Sequence, residues 1–216
     1  MVAHREKNSS RLRHADDSRV LFGPCEPPCP ATRMNSLPLL LAAVSGLLPC
    51  SYRRAGSHEI APQGPCASRA ADGTIRIDKS HLRLLDYGSE GRAEVFVERA
   101  GWVYVRRGGA TLEVLASDNG PDGFSDGLVR IRRNGKIGYA NRSFRTVIAP
   151  RFDFGWPFEN GRALVCMGCA PSEPDPGKEG HSPVSGGKWG YVDLEGREVV
   201  PILLSREEAI AKAPGR

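Results

Sequence analysis

Alternating apolar and polar residues begin near residue 74 and continue in short runs to about residue 204. The run Thr74-Ile75-Arg76-Ile77 has the period of two that a half-buried β-strand shows. The dipeptide Asn134-Gly135 stands between two such runs and is a strong signal for a two-residue hairpin turn. The sequence therefore predicts an all-β fold. With this turn the predicted cross-strand pairs are Arg133 with Lys136, Ile131 with Gly138, and Val129 with Ala140.

Both faces of this predicted hairpin are partly apolar, because side chains alternate between the faces along each strand. One face carries Val129, Ile131, Gly138 and Ala140. The other carries Ile137, Tyr139 and the stems of Arg130 and Arg132. A hairpin with two partly apolar faces is expected to pack against neighbours on both sides.

Segments related to the last predicted hairpin recur upstream. Gly187–Tyr191 reads Gly-Lys-Trp-Gly-Tyr, Gly135–Tyr139 reads Gly-Lys-Ile-Gly-Tyr, and Gly101–Tyr104 reads Gly-Trp-Val-Tyr. The preceding strands open at Gly91, Gly127 and Gly161, which are spaced by 36 and then 34 residues. A period in this range is typical of repeat arrays, in which each unit buries its apolar face against its neighbours.

We expect the residues that recur in these segments to form the repeat core. Trp189 and Tyr191 point to one face of their strand, and Gly190 points to the other, where it lets a neighbouring strand approach closely. The predicted core residues are Trp102, Tyr104, Gly138, Tyr139, Trp189, Gly190 and Tyr191.

This pattern resembles the WG-repeat (WG-containing repeat, KWG-like) family. Its units read roughly as an apolar strand, a Gly-Lys-Trp-Gly-Tyr-Ile-Asp core and a Gly-Lys-Glu-Val-Ile-Pro tail. The resemblance covers about residues 73–201 as three divergent repeats, with Val103 at the glycine position of the first and Ile137 at the tryptophan position of the second. It implies tandem β-hairpins in a short solenoid or an open propeller-like array, and an interaction module rather than an enzyme.

The composition divides the chain into a head, the repeats and a tail. Residues 1–72 are rich in Pro, Arg, Ser and Gly, whereas Ser205–Glu208 has capping-box spacing and predicts one short helix over 206–212. The expected segments are a disordered or mis-assigned start at 1–33, a signal-peptide-like segment at 34–50, a linker at 51–72, a repeat β domain at 73–204 with a surface insertion at 170–186, and a short helix and tail at 205–216.

The one long apolar run, Leu37–Leu48, suggests export. Its twelve residues are too few to span a bilayer but fit the core of a secretory signal, with Met34 as the start. Cys50 follows directly, as the lipidated cysteine does in bacterial lipoproteins. The predicted location is the periplasm, the cell envelope or the secreted fraction of a bacterium, with possible membrane attachment by a lipid at Cys50. The alternative is a cytoplasmic protein.

Net charge does not indicate a nucleic-acid partner. The chain carries +5, and without residues 1–50, which hold six Lys/Arg and four Asp/Glu, the charge is +3. That excess is too small for a phosphate-binding footprint. The sequence also contains no phosphate loop or HExxH motif, so no cofactor and no catalytic residue is predicted.

Cys166 and Cys169 form the one motif with possible chemistry, and three hypotheses remain open. A local disulfide at the base of the insertion fits an oxidising compartment. A metal site would use both thiolates with His181 and further ligands. A redox pair would need a helix N-terminus that the pattern does not predict.

The function most consistent with this organisation is non-enzymatic binding of a protein partner through a β-repeat surface. The alternative is carbohydrate or cell-wall binding through exposed aromatic residues, with Trp156 as the candidate because it stands in a connecting loop. A second alternative is metal or redox chemistry at the cysteine pair.

Overall fold

The computed structural model describes residues 46–118, 120–172 and 184–213. The predicted head at 1–33, most of the signal-like segment, the centre of the insertion and His181 lie outside the described residues. No helix within the described ranges is long and apolar enough to cross a membrane.

The described chain consists mainly of β-strands with two short helices, which confirms the all-β prediction. The elements are β1 Leu48–Arg53, β2 Ile60–Arg69, β3 Ile75–Ile77, α1 Lys79–Leu82, β4 Arg92–Val97, β5 Gly101–Arg106, β6 Thr111–Glu113, β7 Ala116–Ser117, β8 Gly120–Pro121, β9 Leu128–Arg133, β10 Lys136–Asn141, β11 Thr146–Phe152, β12 Phe154–Gly155, β13 Arg162–Pro171, β14 Val184–Asp193, β15 Glu198–Leu204 and α2 Arg206–Ala211.

The first six strands form one sheet in the order β3-β2-β1-β4-β5-β6. Its two edge strands approach each other, because the Thr111 hydroxyl on β6 donates to the Ile75 carbonyl on β3 at 2.5 Å. Arg69 and Glu113 form an ion pair at 3.1 Å on the same side. The sheet is therefore nearly closed into a barrel.

The prediction of a linker over 51–72 is wrong, because β1 and β2 occupy most of that segment and β1 pairs with both β2 and β4. The repeat domain therefore has strands well before residue 73. Pro49, Pro62 and Pro65 interrupt the alternation on which the sequence prediction depends. The β1–β2 ladder also shifts register beside Pro49 and Cys50, so a strict period of two is lost.

A disulfide joins Cys50 on β1 to Cys66 on β2. Both cysteines are buried in the core of the six-stranded sheet. A lipid anchor at Cys50 would use the same sulfur atom, so the disulfide and the anchor exclude each other. An export signal that leaves this sheet intact has to end before Leu48.

Replacing both Cys50 and Cys66 by alanine is expected to lower the free energy of unfolding by about 2–3 kcal/mol. The disulfide joins residues 16 apart in sequence, and the loop that it closes restricts the unfolded chain. Urea unfolding followed by tryptophan fluorescence measures the loss. The matched control replaces Cys166 and Cys169, which are three residues apart and should contribute less. An equal or larger loss in the control would contradict this expectation.

Three hairpins have the same cross-strand register. The first is β4–β5, the second β9–β10 and the third β13–β14. The predicted pairs around the Asn134-Gly135 turn are confirmed, and both turn residues have positive φ. The equivalent central pairs are Val95 with Val103, Ile131 with Gly138, and Val165 with Gly190.

The hairpins are stacked, with a layer of buried side chains between each neighbouring pair. The first junction contains Tyr104, Leu112 and Val114 packed with Val129, Ile131 and Ala140. The second contains Ile137, Tyr139, Phe152 and Phe158 packed with Ala163, Val165 and Val192. Each hairpin therefore buries side chains on both faces, as its pattern predicts.

The glycine of the repeat lies directly under a neighbouring strand. A Cβ atom on Gly138 would lie 2.5 Å from the Ile148 carbonyl oxygen and 2.6 Å from the Pro150 nitrogen, both on β11. One on Gly190 would lie 2.7 Å from the carbonyl carbon of Pro201 on β15. The predicted close approach at this position is confirmed in the second and third hairpins.

Helix α2 covers part of the outer face of the third hairpin. Ser205 and Glu208 form the predicted capping box, in which each side chain accepts from the other residue's backbone N–H. Ala209 is buried against Trp189, and Arg206 lies with its guanidinium 5.4 Å from the centre of the Trp189 ring. The predicted capping helix is confirmed.

Candidate functional site

An open cleft lies beside α2, on the part of the third hairpin's outer face that the helix does not cover. Its volume is about 640 Å³. The walls come from the loop after β12, from the third hairpin and from α2. The residues that determine its chemistry are Trp156, Glu159, Asn160, Arg162, Tyr191, Arg206 and Ile210, so the two arginines exceed the one carboxylate in charge.

Trp156 forms an exposed aromatic wall of the cleft, with 43% of its surface accessible. Its backbone is fixed on both sides: the N–H donates to the Leu164 carbonyl at 2.9 Å, and the carbonyl accepts from the Tyr139 hydroxyl at 2.8 Å. Its ring meets the Phe154 ring edge-on at 5.4 Å. The indole is therefore held in place while one side of it stays accessible to a ligand.

Two arginines line the cleft, and each has a buried nitrogen without a hydrogen-bond acceptor within the described ranges. Arg162 donates from Nε to the Asn160 carbonyl at 3.3 Å, but its Nη1 is buried and has no acceptor among the described residues. Arg206 Nε is also buried and has no acceptor in the described part of the chain. Both guanidinium groups bring positive charge to the cleft, so a ligand with carboxylate oxygens would gain binding energy here.

The tyrosines of the first two hairpins tie each unit to the next. The Tyr104 hydroxyl donates to the Asp122 carbonyl at 2.8 Å, and the Tyr139 hydroxyl donates to the Trp156 carbonyl at 2.8 Å. Both acceptors lie in the loop that precedes the next hairpin. Tyr191 is the equivalent residue of the third hairpin, and its hydroxyl has no hydrogen-bond partner among the described residues.

Burial raises the pKa of the Tyr139 hydroxyl well above its ordinary value near 10. Above pH 10 the unfolded chain therefore loses a proton that the folded chain keeps, and stability falls as pH rises further. We expect the free energy of unfolding of Tyr139→Phe to fall less steeply between pH 10 and 12 than that of the unsubstituted chain, measured by urea titration at each pH. Identical slopes would contradict this.

The cysteine pair lies apart from the cleft residues just described. Cys166 and Cys169 are joined by a disulfide on β13, and Cys166 packs beside Trp189 on the face that α2 covers. Metal or redox chemistry at this pair would need the reduced thiols. The β13–β14 ladder continues beyond it to Pro171 and Val184, so both ends of the predicted 170–186 insertion are strand.

The sequence predicts Trp156 and Tyr191 as separate features, but it does not predict that both line one cleft. Trp156 was predicted as an exposed aromatic and Tyr191 as a core residue; the structure places both on the cleft, with Tyr191 half-buried. Of the other core predictions, Trp102 is half-buried, and Tyr104, Tyr139 and Trp189 are fully buried. Arg162 and Arg206 were not predicted, although Arg162 follows the glycine of its unit as Arg92 does in the first.

A family model described as WG containing repeat matches residues 137–168, from β10 to β13. No curated protein and no solved structure matches the chain. The matched segment includes the second hairpin's return strand, its tail strand β11 and the first part of the third hairpin. Over this segment the chain is therefore similar to the WG containing repeat, in agreement with the resemblance seen in the sequence.

Proposed function

We propose that this chain is a non-enzymatic binding module that mediates protein–protein interaction through its β-repeat surface, with the cleft beside Tyr191 as the binding site. One observation carries the proposal. The outer faces of the first and second hairpins are covered by polypeptide, whereas the equivalent face of the third is open at the cleft. A face built to pack against another unit is suited to a protein ligand.

We further propose that the module works in the periplasm, the cell envelope or the secreted fraction of a bacterium. Two disulfides support this, because such bonds persist in oxidising compartments. The apolar run at 37–48 supports export as well. In the cytoplasm, which is the alternative, the same four cysteines would be kept reduced.

Carbohydrate binding is the second candidate, and Trp156 favours it. An accessible indole beside Asn160, Arg162 and Arg206 combines a stacking surface with hydrogen-bond donors. A sugar can stack on the indole and form hydrogen bonds with these donors. The protein partner remains the better supported ligand, because chain segments cover this face at both internal junctions.

A random peptide library and a glycan array, both probed with the full chain, separate the two candidates. We expect selected peptides to bind at least tenfold more weakly to Trp156→Ala and with unchanged affinity to Val147→Ala, an exposed site outside the cleft lining. Thermal melting of each variant verifies folding. Selected peptides whose affinity is the same for Trp156→Ala and for the unsubstituted chain would overturn the proposal. A glycan that binds more tightly than the peptides and whose binding requires Trp156 would overturn it as well.

A further inference from the structure

The two internal junctions show what covers the tyrosine face of a hairpin. At the first, Tyr104 donates to the Asp122 carbonyl, and Phe124, two residues later, stacks on the Tyr104 ring at 5.6 Å. At the second, Tyr139 donates to the Trp156 carbonyl, and Phe158, again two residues later, meets the Tyr139 ring edge-on at 4.8 Å. Both covering segments therefore supply a carbonyl and then an aromatic ring at the second residue after it.

An arginine completes this arrangement at the first junction. The Arg92 guanidinium lies 4.8 Å from the centre of the Tyr104 ring and 4.9 Å from that of Phe124. Arg162 occupies the same ladder position in the third hairpin as Arg92 in the first. The cleft therefore contains the tyrosine and the arginine of a junction, and lacks the carbonyl and the aromatic ring.

The turn before the third hairpin offers one more contact of the same kind. Asp126, in the turn before the second hairpin, accepts from the Gly161 N–H of the next unit at 2.7 Å. Asn160 is the equivalent residue before the third hairpin, because it also has positive φ and precedes a glycine. Asn160 lines the cleft. A segment that lies along Tyr191 could donate a backbone N–H to Asn160.

We propose that the cleft binds an extended segment of a partner protein that places a backbone carbonyl at the Tyr191 hydroxyl and an aromatic side chain, two residues later, against Tyr191 and Arg162. Acidic side chains of the same segment pair with the positive charge of Arg162 and Arg206. This inference rests on the proposed protein-binding function. It follows from continuity with the two internal junctions and from the charge of the two arginines.

The probe is a peptide with the sequence of residues 120–126, Gly-Pro-Asp-Gly-Phe-Ser-Asp, blocked at both ends. Calorimetric titration into the full chain is expected to show binding that weakens at least tenfold when the phenylalanine of the peptide is replaced by alanine. In the protein, Tyr191→Phe should weaken it about fivefold by removing one hydrogen bond. Arg162→Leu, which copies Leu128 of the second hairpin, should weaken it about tenfold.

Val147→Ala is the control in the same titration and should leave the affinity unchanged. Tyr191→Phe keeps the ring and its packing, so its effect reports the hydrogen bond rather than folding. Equal affinity of the alanine peptide, indifference to Tyr191→Phe and Arg162→Leu, or absence of binding would each overturn the inference. Library peptides that still need Trp156 would then leave the proposed function standing. Self-association of the chain that is lost in Tyr191→Phe, measured by sedimentation, would replace the partner by a second copy and also overturn the inference.

Discussion

Replacing Asp122 by alanine is expected to lower the free energy of unfolding by about 3–5 kcal/mol. The Asp122 and Arg130 side chains are 3% and 11% exposed, and they meet twice, at 2.7 Å from Arg130 Nη2 and at 2.9 Å from Nε. Asp122 also accepts from the Arg130 backbone N–H at 3.1 Å. Removing the carboxylate leaves a buried guanidinium without its counter-charge, beside the Gly155 carbonyl to which Arg130 Nη1 also donates.

A double variant distinguishes the contribution of the ion pair to the free energy of unfolding from the contribution of side-chain packing. Leu164 stands in the third hairpin where Arg130 stands in the second, so the repeat accepts leucine at this position. Asp122→Ala combined with Arg130→Leu should therefore recover most of the stability that Asp122→Ala loses. Urea unfolding of the two single variants and the double variant gives the cycle. A single Asp122→Ala variant within about 1 kcal/mol of the unsubstituted chain would contradict the prediction.

Gly138→Ala is expected to lower the free energy of unfolding by about 3 kcal/mol, and Gly190→Ala by a similar amount. In each case the added Cβ would meet backbone atoms of the covering strand, which cannot rotate away as a side chain can. The loss should appear in the same urea titration.

Gly108→Ala is the matched control for these glycine variants, because no heavy atom lies within 4 Å of a Cβ at that site and its φ is not positive. We expect it to stay within about 0.5 kcal/mol of the unsubstituted chain. If Gly138→Ala and Gly108→Ala were equally stable, the repeat would not need glycine at position 138 for the close approach of β11.

Local signals made the repeat predictable from the sequence. The Asn134-Gly135 turn determines the register of its hairpin, because only residues that accept positive φ fit both central positions. The first and third hairpins keep the same pairing, in which the tyrosine lies opposite the third residue after the opening glycine, although their loops differ in length. The capping box at Ser205 is equally local, since it needs only residues three apart.

The N-terminal sheet was not predictable in this way, because tertiary partners rather than local pattern hold β1 and β2. Both strands contain prolines, and their ladder has two register shifts. Cys50 follows an apolar run and so resembled a processing site, whereas its actual partner, Cys66, is 16 residues away. The pairing depends on how β1 lies between β2 and β4, which no local spacing encodes.

The cleft was not predictable either, because it depends on how far α2 extends across the third hairpin. Sequence reasoning gave Tyr191 a core role, which its equivalents Tyr104 and Tyr139 do have. It could not show that α2 covers Trp189 and leaves Tyr191 beside an opening. Trp156 is the one cleft residue whose exposure its position in a loop predicted.

Site-specific photo-cross-linking in the native cell tests most directly whether the open end of the repeat array binds a protein. A photoreactive amino acid replaces Ile210, which lines the cleft and is 37% exposed, or Val147, which lies on β11 outside the cleft lining and is 40% exposed. We predict a discrete protein adduct from position 210 that Trp156→Ala removes, and none from position 147. An adduct that forms equally from both positions, or from position 147 alone, would contradict binding at the cleft.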